Sequence, residues 1–233
     1  MLILEDVLTA EEVAAIQTAL SEAEFEDGRA TAKGAAADVK HNLQAARDGN
    51  TQVPLDDLVI GALTRQKQFR NWAFPARFAL PLYSNYEPGM AYGAHTDAAI
   101  MGKTQPMRTD VSITVFLNDP ESYDGRELHL ENDSGGTKVK LPAGHAVAYN
   151  TTAIHQVMPV TRGERLVAVT WAQSFVVDPG MRRILYDMNR VCAKPKAVEP
   201  NSEESRMLQN CYHNPLRRFS APQSSIAAEC EGG

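Results

Sequence analysis

Residues 108–133 read RTDVSITVFLNDPESYDGRELHLEND, and this stretch decides the fold class. It contains two runs rich in β-branched and apolar residues, VSITVFL and ELHL, separated by the turn-forming sequences NDP and DG. Similar short runs, bounded by Gly, Pro, Asn and Asp, continue on both sides from about residue 76 to residue 178. Many short strands at such regular spacing predict a mainly β fold, either a sandwich or a jelly roll.

The N-terminal part has a helical character. After a strand-like run, MLILEDVL, Thr9 and Glu12 fit a capping box that opens an apolar helical pattern. Residues 27–46 are rich in Gly and Ala without a clear period, and we predict a loop with partial helix there. Residues 54–69 carry a second apolar helical face. Helices therefore precede the β region.

Helical patterns also follow the β region, over residues 182–191 and, as a last packed element, 206–219. Between them, residues 194–204 are rich in Pro and charge and predict a linker. The predicted organisation is an N-terminal helical flank over 1–75, a jelly-roll core over 76–178, a C-terminal helical flank over 179–220 and a disordered tail over 221–233.

Composition excludes several classes of protein. The chain has 233 residues, a net charge of −6 and a pI near 5.5, so a general nucleic-acid binder is not expected. The close arginine pairs at 182–183 and 217–218 are predicted to lie on solvated helix faces.

Cysteine use and the N-terminus bear on the compartment. The 3 cysteines, at positions 192, 211 and 230, form no CxxC pair and no disulfide framework, which indicates a reducing compartment. The start of the chain lacks the basic region and long apolar run of a secretory signal, and no run is long enough to span a membrane. We therefore expect a cytoplasmic protein.

One histidine lies in the sequence Ala94-His95-Thr96-Asp97. Residues i and i+2 of a strand point to the same face, so His95 and Asp97 can present an imidazole and a carboxylate side by side. His155 opens the strand-like run HQVMPV and is the candidate for a third ligand. Two histidines and one carboxylate leave open coordination positions, as non-haem Fe(II) requires for a chelating co-substrate and O₂. A lone HxD sequence is weak support, because it arises by chance in many chains.

A nearby arginine strengthens this hypothesis. Arg165 follows His155 in the run TRGER, at the start of the largely apolar strand RLVAVTWAQSF. The planar guanidinium fork of arginine suits the distal carboxylate of 2-oxoglutarate. A hairpin turn at Arg162-Gly163 is predicted to bring the Arg165 strand back beside the His155 strand. The alternative interpretation makes Arg165 a surface residue.

Several long segments resemble the PKHD-type hydroxylases, relatives of the prolyl hydroxylase branch of Fe(II)/2-oxoglutarate dioxygenases. They are YSNYEPGMAYGAHTDAAIMG, RTDVSITVFLNDPESYDGRELHLEND, VKLPAGHAVAYNTTAIHQVMPVTRGERLVAVTWAQS and the tail segment CYHNPLRRF. The resemblance covers nearly the whole chain. It implies a double-stranded β-helix fold, Fe(II) held by His95, Asp97 and His155, and 2-oxoglutarate held by Arg165. O₂ as co-substrate and dependence on L-ascorbate are also implied.

Other positions of the resemblance leave alternatives open. Tyr86 falls where related hydroxylases place a tyrosine near the co-substrate, but it can equally be a packed core aromatic. Phe116 falls where some animal prolyl hydroxylases have a tyrosine, and it lacks the hydroxyl for that contact. Arg126 replaces a glycine of the family. The remaining histidines are predicted to be surface or hydrogen-bonded core residues; they are His41, His129, His145 and His213.

The sequence thus predicts a dioxygenase that hydroxylates an unidentified substrate, either a protein side chain such as prolyl or a small molecule. It is expected to act without nucleic acid or membrane. Its oligomeric state is open, and a homo-oligomer is one of the alternatives. A second hypothesis is a non-catalytic metal-binding jelly roll linked to iron sensing or uptake, which would not need Arg165. A third is an interaction domain without metal.

Overall fold

The computed structural model describes residues 1–47, 52–102, 104–125, 127–132, 135–192, 199 and 202–221. Arg126, most of the predicted linker over 194–204, and residues 222–233 of the predicted disordered tail lie outside the described residues.

Short strands run through most of the described chain. In chain order they are β1 (Leu2–Leu4), β2 (Phe25–Asp27), β3 (Lys40–His41), β4 (Leu43–Ala45), β5 (Pro75–Phe78), β6 (Leu82–Tyr86), β7 (Ala91–His95), β8 (Ile100–Met101), β9 (Met107–Arg108), β10 (Val111–Phe116), β11 (Asp124–Gly125), β12 (Leu128–Leu130), β13 (Thr137–Val139), β14 (Ala146–Asn150), β15 (His155–Val157), β16 (Val160–Arg162) and β17 (Arg165–Ser174). The helices are α1 (Ala10–Ser21), α2 (Ala35–Asp38), α3 (Gln52–Arg65), α4 (Lys67–Ala73), α5 (Pro179–Cys192) and α6 (Glu203–Phe219), with short 3₁₀ turns at Gly28–Thr31 and Pro120–Ser122.

The strands form two main antiparallel sheets. The larger sheet has eight strands, with the order β1-β14-β10-β17-β6-β4-β2 and β5 also paired to β17. The smaller has five, in the order β13-β12-β15-β7-β3. One hydrophobic cluster contains inward-facing residues of both sheets, for example Phe116 and Val167 of the larger and Leu128 and Val157 of the smaller. The sheets therefore face each other, and the predicted jelly roll is confirmed.

A second cluster lies behind the larger sheet. The outward face of β10 packs there with Ile16 and Leu20 of α1 and with Leu63 of α3 and Phe69 of α4. The helices thus cover the side of the larger sheet that faces away from the smaller sheet. Both faces of β10 are therefore covered, and all six of its residues are buried, including the polar Ser112 and Thr114.

The first helix begins as the sequence predicts. The Thr9 hydroxyl accepts a hydrogen bond from the Glu12 backbone N–H, and the Glu12 carboxylate accepts one from the Thr9 N–H, which completes the capping box. The predicted helix over 54–69 is instead two helices, α3 and α4, because the chain leaves the helical conformation at Gln66. That residue precedes α4 with an extended backbone, and its amide N–H bonds back to Leu63.

Residues 27–46 contain the predicted partial helix, as the 3₁₀ turn Gly28–Thr31 and α2, but they also contain strands that were not predicted. They include β3, which pairs with β7, and β4, which pairs with β6. These strands are two and three residues long, so they carry too little alternation to be recognised from sequence. Their partners lie far along the chain, and pairing with them holds the segment extended. Residues 1–75 therefore contribute strands to both sheets; the division of the chain into flanks and core stays a prediction.

Two further predictions are wrong. The turn at Gly163, with φ +70°, does not place the Arg165 strand beside the His155 strand. Instead β16 pairs with β11, while β17 and β15 belong to different sheets that face each other. Arg182 is buried rather than solvated. Its guanidinium donates to the carbonyls of Val176 and Val177 and to the Asn150 side chain, which ties α5 to the larger sheet.

Candidate metal and co-substrate site

The two sheets bring His95, Asp97 and His155 together. His95 ends β7, His155 begins β15, and the two are directly paired across these strands. Asp97 lies just past the end of β7, not within the strand as the i, i+2 argument assumed. One ligand atom from each residue falls within 4.8 Å of the others, and the His95 and His155 ring centroids are 4.3 Å apart.

Backbone carbonyls orient both histidines. The Nδ1 atom of His95 lies 2.8 Å from the Gly93 carbonyl oxygen, and that of His155 lies 3.1 Å from the Ala153 carbonyl oxygen. Because a carbonyl only accepts, each Nδ1 carries the proton, and in a neutral ring the Nε2 lone pair is free for a metal. Burial, with the neighbouring His155, lowers the pKa of His95 to about 4, so this ring is neutral at pH 7.

Two side chains that the sequence did not single out hold Asp97. The Ser112 hydroxyl and the Trp171 indole N–H both donate to Asp97 Oδ2, at 2.7 Å and 2.8 Å. The His95 Nε2 and His155 Nε2 atoms lie 3.8 Å and 3.7 Å from the nearer Asp97 oxygen. The carboxylate is therefore fixed by neighbours while remaining beside both ring nitrogens. Ser112 and Trp171 point here only because β10 and β17 pair, which a local pattern does not reveal.

These donors fit a divalent transition metal. Two imidazole nitrogens and one carboxylate lie close together, which is the ligand set of a non-haem Fe(II) site. Hydrogen bonds behind each ligand provide the orientation that such sites need. Within the described residues, no other group of three His, Cys, Asp or Glu side chains is close enough to hold a metal.

Arg165 lies inside the same space, between the sheets. It is 1% exposed, and its guanidinium carbon lies 5.3 Å from the Tyr86 ring and 5.4 Å from the Phe116 ring. Among the described residues, no carboxylate lies within 4.0 Å of it, and its buried Nε has no hydrogen-bond partner. A buried arginine without a counter-charge is costly. A bound carboxylate would remove that cost, so the residue fits the distal end of 2-oxoglutarate.

The other predicted positions have ordinary surroundings. Tyr86 is 3% exposed and packs in the cluster between the sheets, close to Arg165. His41 and His213 are exposed, His129 contacts Gln156, and His145 lies 3.5 Å from an oxygen of Asp6. These four histidines are not members of the three-ligand cluster.

Within the described residues, none of the helices combines the length and the apolar character needed to cross a bilayer. The two described cysteines, Cys192 and Cys211, are unpaired and exposed.

Comparison with known proteins gives consistent matches. Residues 81–173 match the model of the 2OG-Fe(II) oxygenase superfamily, and this range includes all four of the residues discussed above that would hold metal and co-substrate. The chain is 40% identical over 218 residues to a PKHD-type hydroxylase of Methylobacterium nodulans, which covers 92% of this chain and 96% of that protein.

Solved structures share the fold. A viral collagen prolyl hydroxylase of Paramecium bursaria Chlorella virus-1, in complex with 2OG, is similar with a TM-score of 0.51, 17% identity, and coverage of 74% of this chain and 95% of that one. The carbocyclase SnoK from nogalamycin biosynthesis is similar with a TM-score of 0.57, 14% identity, and coverage of 75% and 80%. At such low identity these likenesses show the fold and leave the substrate open.

Proposed function

Because this chain belongs to the PKHD-type hydroxylases, which are Fe(II)- and 2-oxoglutarate-dependent dioxygenases, we propose that His95, Asp97 and His155 hold the iron and that Arg165 binds 2-oxoglutarate. The observation that carries this assignment is the pairing of a three-ligand cluster with a buried guanidinium that lacks a counter-charge. The dioxygenase function itself follows from the family.

The chain's own residues bind and orient the reactants. The two Nε2 atoms and the Asp97 carboxylate would hold the metal, and a set of three protein ligands would leave positions open for the co-substrate. Arg165 fixes the far carboxylate of 2-oxoglutarate, and the Tyr86 ring packs against the guanidinium. Bound Fe(II) supplies the chemistry that couples O₂ and oxidative decarboxylation of 2-oxoglutarate, giving succinate and CO₂, to hydroxylation of the substrate. The surrounding sheets shield that chemistry from water.

The metal assignment is tested by direct binding. Apo-protein is titrated with Fe(II) without oxygen, and the affinity is measured by competition with a chromogenic chelator. Asp97→Ala is expected to lose metal binding, since a carboxylate ligand is removed. Asp57→Ala, an exposed acid on α3, is the matched control and should bind as the wild type does. Wild-type affinity in Asp97→Ala would exclude Asp97 as a ligand.

The Arg165 assignment is tested with 2-oxoglutarate. Arg165→Met should raise the KM for 2-oxoglutarate in succinate release by at least a hundredfold, because two charge-assisted hydrogen bonds are lost. Metal affinity should stay at the wild-type level. Arg162→Met, an exposed arginine on β16, is the matched control. A silent metal-binding jelly roll predicts instead that the wild type releases no succinate.

The substrate class is a prolyl or other protein side chain, or a small molecule. Mass spectrometry for a 16-Da gain in candidate substrates, with and without 2-oxoglutarate, separates these alternatives. L-Ascorbate is expected to sustain turnover. The exposed, unpaired Cys192 and Cys211 favour a reducing, cytoplasmic location, which cell fractionation tests. A homo-oligomer is tested by sedimentation of the purified protein.

A further inference from the structure

A buried lysine faces the same space as the metal cluster. Lys40 on β3 is 6% exposed, and lysine is rarely buried to this degree unless it is paired with an acid. Within the described residues no carboxylate lies within 4.0 Å of its ammonium. Its one hydrogen bond goes to the Thr31 hydroxyl, at 2.8 Å, although the ammonium has three donors. The assignments made so far give this charge no role.

A chain of hydrogen bonds fixes the ammonium in place. Thr31 accepts from Lys40 and donates to the Gln44 side-chain carbonyl at 2.7 Å, and the Gln44 amide donates to the Ser84 hydroxyl at 3.2 Å. Gln44 and Ser84 are directly paired on β4 and β6, and both are buried. Lys40 is therefore held by a network of neutral side chains, and no member of this network pairs with its charge.

An unpartnered amide lies two residues away. Asn42 is 2% exposed, and neither its side-chain oxygen nor its side-chain nitrogen has a hydrogen-bond partner in the described part of the chain. His41 between them is exposed, whereas Lys40 and Asn42 are both buried. A Cβ on Gly28 would lie 2.0 Å from the Asn42 side-chain oxygen, so glycine is required there for the amide to fit.

Tyr92 connects this group to the metal cluster. Lys40 and Tyr92 are directly paired across β3 and β7, and the ammonium lies 5.3 Å from the Tyr92 ring centroid. The Tyr92 ring stacks on His95 with centroids 3.6 Å apart. The ammonium therefore lies no farther from the His95 ring than the sum of these two distances. This is within reach of a small substrate that also approaches the metal.

When Fe(II) and 2-oxoglutarate are bound, the charges of the site balance without Lys40. The two charges of Fe(II) and the one of Arg165 are balanced by Asp97 and by the two carboxylates of 2-oxoglutarate. The Lys40 ammonium then needs one more negative charge in a region shielded from water. Asn42, which is buried two residues along the chain, offers an unpartnered N–H donor.

We propose that Lys40 and Asn42 form a carboxylate-binding point for the substrate, so that the hydroxylated molecule carries a carboxylate close to the reacting carbon. The ammonium supplies the charge and the Asn42 amide a directed hydrogen bond, in the way that buried carboxylates are usually held. This inference rests on the proposed function, because it assigns 2-oxoglutarate to Arg165 and leaves Lys40 to the substrate.

The test uses the full chain loaded with Zn(II), which is redox-inert, and with saturating 2-oxoglutarate to occupy Arg165. Acetate is the probe, acetamide is its neutral counterpart, and binding is read by saturation-transfer NMR. Wild type should bind acetate and not acetamide. Lys40→Met should weaken acetate at least tenfold, Asn42→Ala several-fold, and Lys40→Arg little. Lys33→Met, which removes an exposed lysine of the same segment, should bind as the wild type does.

Two further readouts complete the test. In wild type alone, an NOE from the acetate methyl group to the Tyr92 ring is expected, and this measurement does not depend on any variant folding. The affinity for 2-oxoglutarate should be unchanged in Lys40→Met. Equal acetate binding by wild type and Lys40→Met, or none by wild type that does bind 2-oxoglutarate, overturns the inference. Failure of wild type to bind 2-oxoglutarate would instead count against the proposed function.

Discussion

The two faces of β10 differ in what they contact. Val111, Ile113 and Val115 pack in the cluster behind the larger sheet, against the helices. Ser112 lies between Val111 and Ile113 in sequence, but its side chain points to the opposite face and donates a hydrogen bond to Asp97. Phe116, on the same face as Ser112, packs near Arg165. One strand of alternating residues therefore serves both stability and the site.

The difference shows how a rigid site is built. Burial of the aliphatic face removes apolar surface from water. This stabilises the fold and holds the strand in place. The site-facing side of the larger sheet also contains a buried polar group, the Arg165 guanidinium, whose burial costs free energy until a ligand pairs with it. β17 repeats this arrangement, with Ala168 and Ala172 toward the helices and Trp171 bonded to Asp97.

The largest effect is expected on the aliphatic face. Ile113→Ala removes a fully buried side chain and should lower the free energy of unfolding by about 2–5 kcal/mol, because a cavity remains. Urea denaturation of the apo-protein measures this loss. Metal affinity of the folded fraction should be unchanged. A large loss of metal affinity without loss of stability would contradict the claim that this face serves stability and not the site.

Lys40→Met tests the cost of a buried charge on β3 of the opposite sheet, which also faces the site. Burial lowers the pKa of Lys40 from 10.5 to about 8, partly opposed by Asp97, so the folded protein at pH 7 holds a charge that burial disfavours. Without ligand, Lys40→Met should raise the free energy of unfolding at pH 7 by about 2 kcal/mol. This figure is the free energy regained by removing the buried charge, minus about 1 kcal/mol for the hydrogen bond that is lost.

The pH dependence of this effect has a defined sign. Between pH 8 and 10.5 the unfolded state holds the Lys40 proton while the folded state loses it, so wild-type stability rises with pH there. The advantage of Lys40→Met is therefore full below pH 8 and shrinks as the pH rises toward 10.5. Thermal denaturation of both proteins across this range measures it. A constant difference would argue that Lys40 titrates normally.

Ser112→Ala should act on the metal more than on the fold. It removes a donor to Asp97, and loss of such outer hydrogen bonds typically lowers metal affinity about 10–100-fold. Chelator competition measures this change. Thr114→Val, two residues along the same face, is the control and should bind metal as the wild type does. An unchanged affinity in Ser112→Ala would mean that Trp171 alone orients the carboxylate.

The smallest effect is expected far from both faces. Thr9→Ala removes the capping box of α1 and should lower the free energy of unfolding by about 1 kcal/mol, with metal affinity unchanged. Thr18→Ala, an exposed hydroxyl later in the same helix, should change stability by less than about 0.5 kcal/mol. Equal losses from the two variants would show that the cap contributes nothing beyond helix propensity.

Much of the fold could be predicted from local sequence patterns. The capping box at Thr9 and the strands after residue 75 depend on neighbours in sequence, and both are confirmed. The short strands β3 and β4 were missed, because two or three residues cannot show a period and their partners are distant. The burial of Arg182 was missed for a similar reason. Its partners at Val176 and Asn150 are brought together only by packing of α5.

By itself the sequence determined the class of fold and named the residues expected to hold metal and co-substrate, because these depend on residue type, spacing and a long resemblance. The tertiary structure alone decided that Ser112 and Trp171 support Asp97 and that Lys40 and Asn42 are buried. Those contacts join strands that are far apart in the chain. Side-chain direction alternates at every residue, so only the observed register assigns each one to the helices or to the site.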